Sequence, residues 1–215
     1  MNSTFGVYLK KDKEAMLMNL PNKLTVTRLV MAPLFFIVFF LSDIVPSVNP
    51  YLYCALLVVM YVIMELTDLL DGKIARRRKL VTDLGKVLDP FADVICHLTF
   101  FTCLLSCGIM PVWAYIFILW REFAQSFTRM LMMGKGKAMA ANIFGKAKTC
   151  LYALACICGF AYRILTVFKV EGSFLKTFDS VLLVLFALTA VSSVVSYLIY
   201  VNAIIKSKAL SGMTR

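Results

Sequence analysis

Charge is scarce in this chain. Asp, Glu, Lys and Arg make up 16% of its 215 residues while 61% are apolar, against ~25% and ~45–50% in ordinary soluble domains. That shortage excludes a soluble globular domain, a disordered chain and a nucleic-acid-binding module. Histidine is almost missing, with His97 the single example. The seven cysteines (Cys54, Cys96, Cys103, Cys107, Cys150, Cys156 and Cys158) lack the Cys/His company of a zinc site. Most lie in apolar runs, where a free thiol acts as a small apolar side chain. No internal repeat is visible, which counts against a transporter built from repeated halves. The first 20 residues hold no continuous apolar stretch and no small-residue cleavage site, so no cleavable signal peptide is expected.

What is abundant is long apolar sequence. Segments near 24–42, 51–70, 88–107, 110–132, 146–168 and 180–205 are each long enough for one crossing, at ~20 residues per crossing. They predict an all-α polytopic membrane protein of six transmembrane helices, one domain over 1–215. Residues 1–23 read as a juxtamembrane segment, with Met16, Met18 and Leu20 suited to a short interfacial helix. The charge that exists is lopsided, with 23 Lys and Arg against 12 Asp and Glu. Placing both termini in the cytoplasm puts 20 of the 23 basic residues on that side and leaves Arg163, Lys169 and Lys176 opposite. Basic residues collect in cytoplasmic loops, so topology accounts for the net charge of +11 without nucleic acid.

Half of the acids lie close together: Glu65, Asp68, Asp71, Asp83, Asp89 and Asp93. Carboxylates at membrane depth are expensive and persist where they face a polar cavity and bind something positive. Asp68 and Asp71 are spaced i,i+3, Asp89 and Asp93 i,i+4, so each pair shares a helix face. Two helices joined by a tight loop can aim all four carboxylates at one another. Unneutralised they would repel, and a divalent cation removes the repulsion. All-oxygen ligands select hard ions, Mg²⁺ or Mn²⁺ with Ca²⁺ as a competitor. His97, four residues after Asp93, could touch the site. Gly72, Ala75 and Gly85 leave room for close approach, and Arg76 offers donors to phosphate. Together these suit a pyrophosphate-containing nucleotide lipid.

The pattern D-x-x-D-G-x-x-A-R-x8-G-x-x-x-D-x-x-x-D is met by Asp68, Asp71, Gly72, Ala75, Arg76, Gly85, Asp89 and Asp93. It resembles the signature of the CDP-alcohol phosphotransferases. The opening NLPNKLTVTRLVMAPLFF, the stretch WREFAQSFTR and the stretch GKGKAMAANIFGKAKT further resemble the phosphatidylglycerophosphate synthases among them. Val94 stands where those synthases commonly carry lysine, and Leu69-Leu70 where an aromatic is frequent.

The resemblance implies a six-helix fold, a homodimer and a cytoplasm-facing cavity in the cytoplasmic membrane. It implies a catalytic motif over 68–93 with two metal ions, Mg²⁺ or Mn²⁺, on Asp68, Asp71, Asp89 and Asp93. Asp93 is the expected general base. CDP-diacylglycerol is the implied donor, with Arg76 and Thr82 at its phosphates and Gly72, Ala75 and Gly85 along the cytidine. Glycerol 3-phosphate is the implied acceptor, its phosphate held by Arg129, Lys146 and Lys148. Inositol phosphate, phosphatidylglycerol and serine are the alternative acceptors. Asn22, Thr25 and Arg28 are expected to line the cavity entrance.

Overall fold

The computed structural model describes residues 20–77, 83–133 and 143–206, which are helices joined by short turns and connections. Six long helices run α1 (Leu20–Phe39), α2 (Pro50–Arg77), α3 (Asp83–Ser106), α4 (Val112–Met133), α5 (Ile143–Val167) and α6 (Ser173–Lys206). A single extra turn, Leu41–Ile44, follows α1. The expected interfacial segment falls on residues that lie, apart from Leu20–Lys23, outside the described ones.

Five stretches are long and apolar enough to cross a membrane: Leu20–Ile44, Pro50–Leu70, Val87–Ser106, Gly145–Val167 and Ser173–Lys206. The protein is thus an all-helical chain of the membrane class. The segment 110–132, expected as a further crossing, forms the helix α4, 22 residues long, which is not among these five. Its Arg121, Glu122 and Arg129 keep it from the apolarity of the other five. The helices also outrun the apolar segments. α2 continues past Leu70 to Arg77, and α3 starts at Asp83, so the acidic motif rides on helix ends rather than on a loop.

Packing divides the bundle into two groups. α1 lies against α2 and α3, while α6 lies against α4 and α5, and α3 touches both α4 and α5. The outward faces are large and apolar, with Val58, Val59, Val62, Leu183, Val184 and Leu188 all exposed. In water such surface would be a liability; in a bilayer it is the lipid-facing side. The interior is aromatic. Phe35 of α1, Phe100 of α3 and Phe160 of α5 have ring centroids 4.8–5.8 Å apart, in edge-on and tilted pairs. Tyr61 of α2 joins them at 5.2 and 5.3 Å. Such pairs add ~0.5–1.5 kcal/mol beyond their buried area, and this group fixes the relative depth of four helices.

α3 ends in a Schellman motif. Gly108, at φ +71°, gives its N–H to the Leu105 carbonyl at 2.9 Å, and Ile109 reaches Leu104 at 2.9 Å. On α5, Gly159 is a site of close approach, since a Cβ there would lie 2.5 Å from Cδ1 of the buried Leu104. Gly159→Leu should therefore overpack the α3–α5 contact and destabilise the fold by about 1–3 kcal/mol. Thermal unfolding of the purified protein in detergent checks this, and an unchanged midpoint would refute the close-packing account.

Candidate active site

Three helices build the site. Along α1 the polar residues Asn22, Thr25 and Arg28 recur every third position and are all buried, while the polar Lys23 and Thr27 are exposed. Arg28 is the largest, with 2% of its side chain exposed. Its Nη1 donates to Asp68 Oδ1 on α2 and, at 2.8 Å, to Asp93 Oδ1 on α3. Its Nη2 donates to Asp89 Oδ1 at 2.9 Å. Thr25 Oγ1 stands 3.1 Å from the same Asp89 oxygen and 3.1 Å from the Pro21 carbonyl. The planar fork of a guanidinium can serve several carboxylates at once, which an ammonium cannot do with fixed geometry. Arg28 and Thr25, expected at the entrance, instead sit among the aspartates, because three carboxylates from two helices draw a buried cation in.

Below them Met64, Glu65, Cys96, His97 and Phe100 close a small cavity with Arg28, Asp68 and Asp93. His97 is turned by a 2.8 Å hydrogen bond from Nδ1 to the backbone carbonyl of Asp93. A carbonyl only accepts, so the Nδ1 position carries the proton and the ring is oriented from its own helix.

The remaining motif residues are placed as follows. Asp71, Gly72, Ala75 and Arg76 lie on the last turns of α2, but their side chains are outside the described ones. Thr82 is outside the described residues altogether. Gly85 is on the first turn of α3, half-buried. Of the expected acceptor-phosphate residues, Arg129 and Lys146 are exposed and Lys148 is half-buried. Lys148 Nζ contacts Glu122 Oε1 at 2.7 Å and lies 4.2 Å from the centre of the Tyr152 ring.

Among the described residues no three His, Cys, Asp or Glu side chains stand together at metal-ligand spacing. The donor chemistry nevertheless fits a hard divalent cation. Asp68, Asp89 and Asp93 already turn carboxylate oxygens onto one positive group, and each retains solvent contact, with 38%, 42% and 45% of the side chain exposed. An oxygen-only donor set of this kind suits Mg²⁺ or Mn²⁺ and not zinc.

A family model described as CDP-alcohol phosphatidyltransferase matches residues 18–205. The chain belongs to the CDP-alcohol phosphatidyltransferase family. The family is generally dependent on a divalent metal, in keeping with the oxygen donors above. Several relatives carry the name CDP-diacylglycerol–glycerol-3-phosphate 3-phosphatidyltransferase, three of them as follows. One, from Treponema pallidum, is 39% identical over 116 residues, which cover 54% of each chain. One from Bacillus subtilis is 35% identical over 137 residues, covering 61% of this chain and 70% of the relative. One from Wigglesworthia glossinidia brevipalpis is 31% identical over 152 residues, covering 65% and 75%. The matched region thus spans about half of the Treponema relative and about three quarters of the last.

The motif over 68–93 holds acids, small residues and Arg76 and does not reach α1; the cation that meets the acids lies in the opening stretch NLPNKLTVTRLVMAPLFF. The i, i+3, i+6 recurrence of Asn22, Thr25 and Arg28 places all three on one face of that helix.

Removing Arg28 leaves three carboxylates with a lost common partner. Breaking a buried pair costs ~3–5 kcal/mol, and partly exposed carboxylates reduce that. Arg28→Ala should lower stability by about 2 kcal/mol, a drop of roughly 4–8 °C in unfolding midpoint for a chain of this size. Arg28→Lys should recover only part of it. Thermal unfolding in detergent with EDTA reads both, and equal midpoints for Ala and parent would overturn the account.

Proposed function

We propose that the protein is an integral membrane transferase of phospholipid synthesis. It moves the phosphatidyl group of CDP-diacylglycerol to glycerol 3-phosphate, giving phosphatidylglycerophosphate and CMP. The observation that carries the reading is the convergence of Asp68, Asp89 and Asp93 on one buried guanidinium, inside a chain that matches the family over residues 18–205. The relatives' shared name supports the choice of donor and acceptor. In this reading six helices cross the cytoplasmic membrane, both termini and the aspartates face the cytoplasm, and two copies form a homodimer. The 20-to-3 split of basic residues supports the orientation.

The chemistry follows from the side chains. Asp68, Asp71, Asp89 and Asp93 would hold two Mg²⁺ or Mn²⁺ ions. Held there, the ions would supply positive charge against the pyrophosphate and the departing CMP. Arg76 and Thr82 take the nucleotide phosphates, and Gly72, Ala75 and Gly85 leave a flat wall for cytidine. Asp93 removes the proton from the acceptor hydroxyl as that oxygen attacks the β-phosphorus. Asp93 suits the role because His97 holds its backbone from behind and Arg28 holds its carboxylate from the side. Arg129, Lys146 and Lys148 take the acceptor's phosphate, which an alcohol such as serine does not offer. Val94, in place of the lysine common in phosphatidylglycerophosphate synthases, is the feature that favours testing other acceptors.

The deciding experiment incubates the purified protein with CDP-diacylglycerol, Mg²⁺ and a panel of alcohols, and measures CMP. Glycerol 3-phosphate should give the fastest release. Faster release with inositol phosphate, phosphatidylglycerol or serine would change the acceptor, and no release with any of them would remove the reaction. Asp93→Asn should lower turnover by about 10²–10⁴-fold, and near-parental CMP release would end its assignment as base. EDTA should abolish turnover and Mg²⁺ or Mn²⁺ restore it, whereas Ca²⁺, larger and looser in geometry, should support little. Restoration by zinc alone would contradict the oxygen-ligand site.

A further inference from the structure

A second ionic group lies between α4, α5 and α6. Three donors meet on one oxygen, Glu122 Oε1: Arg121 Nη1 at 2.8 Å, Lys148 Nζ at 2.7 Å and the Tyr152 hydroxyl at 2.8 Å. Glu122, Arg121 and Tyr152 are buried, at 4%, 7% and 0% exposure. A carboxylate only accepts, so Tyr152 donates to Glu122, and Ser193 Oγ, 2.8 Å from the Tyr152 oxygen, donates to Tyr152. Arg121 Nε is anchored on the Ser193 carbonyl at 3.2 Å.

The charges in this group do not cancel. Arg121 and Lys148 are two cations against one carboxylate. Excess charge inside a bundle is costly unless something of opposite sign meets it. The group also abuts the aspartates. The Tyr152 ring packs 5.4 Å from His97, whose Nδ1 is bonded to the Asp93 carbonyl. An ammonium has three N–H donors, and the contact with Glu122 uses one of them.

We infer that Glu122 is a positioning residue for the acceptor's phosphate, holding the Lys148 ammonium, with Arg121 beside it, as a preset cationic subsite next to Asp93. The inference rests on the acceptor reading above and names the residue that prepares it. A lysine stem loses rotamer freedom when it is fixed. Glu122 and the Tyr152 ring fix it before the acceptor arrives, so binding does not have to. Arg121 keeps the subsite positive although Glu122 is negative. A carboxylate that merely competed with phosphate for Lys148 would act in the opposite direction, and the two accounts differ in sign.

The test uses the full chain in detergent with CDP-diacylglycerol, Mg²⁺ and varied glycerol 3-phosphate. Glu122→Gln should raise the KM for glycerol 3-phosphate by about ten- to a hundred-fold, the range for one charge-assisted bond, with kcat and the KM for CDP-diacylglycerol near parental. Glu122→Asp should restore part of the loss. Lys148→Gln should match Glu122→Gln, and the double variant should be no worse than Lys148→Gln alone, because residues that act through one another are not additive. Additive losses, a lowered acceptor KM in Glu122→Gln, or equal shifts for both substrates would overturn the inference. If Glu122→Gln does not fold, Tyr152→Phe keeps every charge and removes one donor. It should raise the acceptor KM selectively but less, and equal shifts for both substrates would again overturn the inference. A parent enzyme that turns over glycerol 3-phosphate while Glu122→Gln is unselective sinks only the positioning role. A parent that ignores glycerol 3-phosphate sinks the acceptor reading itself.

Discussion

One buried guanidinium meeting three carboxylates is the interaction on which the first half of the bundle depends. Asp68, Asp89 and Asp93 come from two helices and carry like charges that would push those helices apart. Arg28 brings the opposite charge from a third helix, and this binds α1 into the interior rather than leaving it as a peripheral crossing. The requirement propagates along α1. The face that carries Arg28 also carries Thr25, within 3.1 Å of Asp89, and one turn beyond Arg28 it becomes Ala32, Phe35 and Phe39, all fully buried. The aromatic group around Phe35 then sets the depth at which the guanidinium meets the acids. Polar recognition and apolar packing thus share one helix face, each fixing the register of the other.

The same rule governs the other charged groups. Arg121 and Lys148 meet Glu122, and Arg163 of α5 meets Asp43 at 2.7 Å beside the turn that follows α1. These groups differ in function because they differ in balance and access. The aspartate group is acidic and partly solvated, fit for metal and a pyrophosphate. The Glu122 group is cationic and more enclosed, fit for an anion. The Asp43 group pairs one charge with one charge and ties the turn after α1 to α5. α3 touches the first group and packs against both helices that carry Arg121, Glu122 and Lys148, so it couples the half that would hold the donor to the half that would hold the acceptor.

Much of this was legible in the sequence, and the legible parts share a cause. Apolar length reports burial in lipid directly, so the helices were placed to within a turn or two at most ends. The acids were legible because carboxylates in apolar surroundings are anomalous and their i,i+3 and i,i+4 spacings point them together. Partners were harder. Arg28 stands 40 residues from Asp68 and 65 from Asp93 along the chain, and no local period links them. Lys148 reads from sequence as one more basic residue at a helix entry. Only the meeting of α4 with α5 reveals that Glu122 holds it. The apolar run starts at 180 while α6 starts at Ser173, because Lys176 and Asp179 interrupt the run without interrupting the helix.

α4 is the long helix that falls short of the apolarity of a crossing, and its charges explain why. Insertion scales charge ~2.5–3.5 kcal/mol for each Arg or Asp at the centre of an isolated crossing. On that account Arg121, Glu122 and Arg129 would set α4 apart from a bilayer. Within the bundle, Arg121 and Glu122 pair with each other, Lys148 adds a second cation, and Tyr152 adds a neutral donor. Arg121 and Glu122, removed from water, thereby regain ionic and hydrogen-bonded partners, and the outward side of α4 remains Phe117, Trp120, Phe123 and Phe127, all exposed. The penalty belongs to the lone helix, not to the assembled protein. The charges that weaken α4 as a crossing are therefore the ones that commit it to a fixed orientation, with Glu122 turned inward toward α5 and its aromatic stripe turned out.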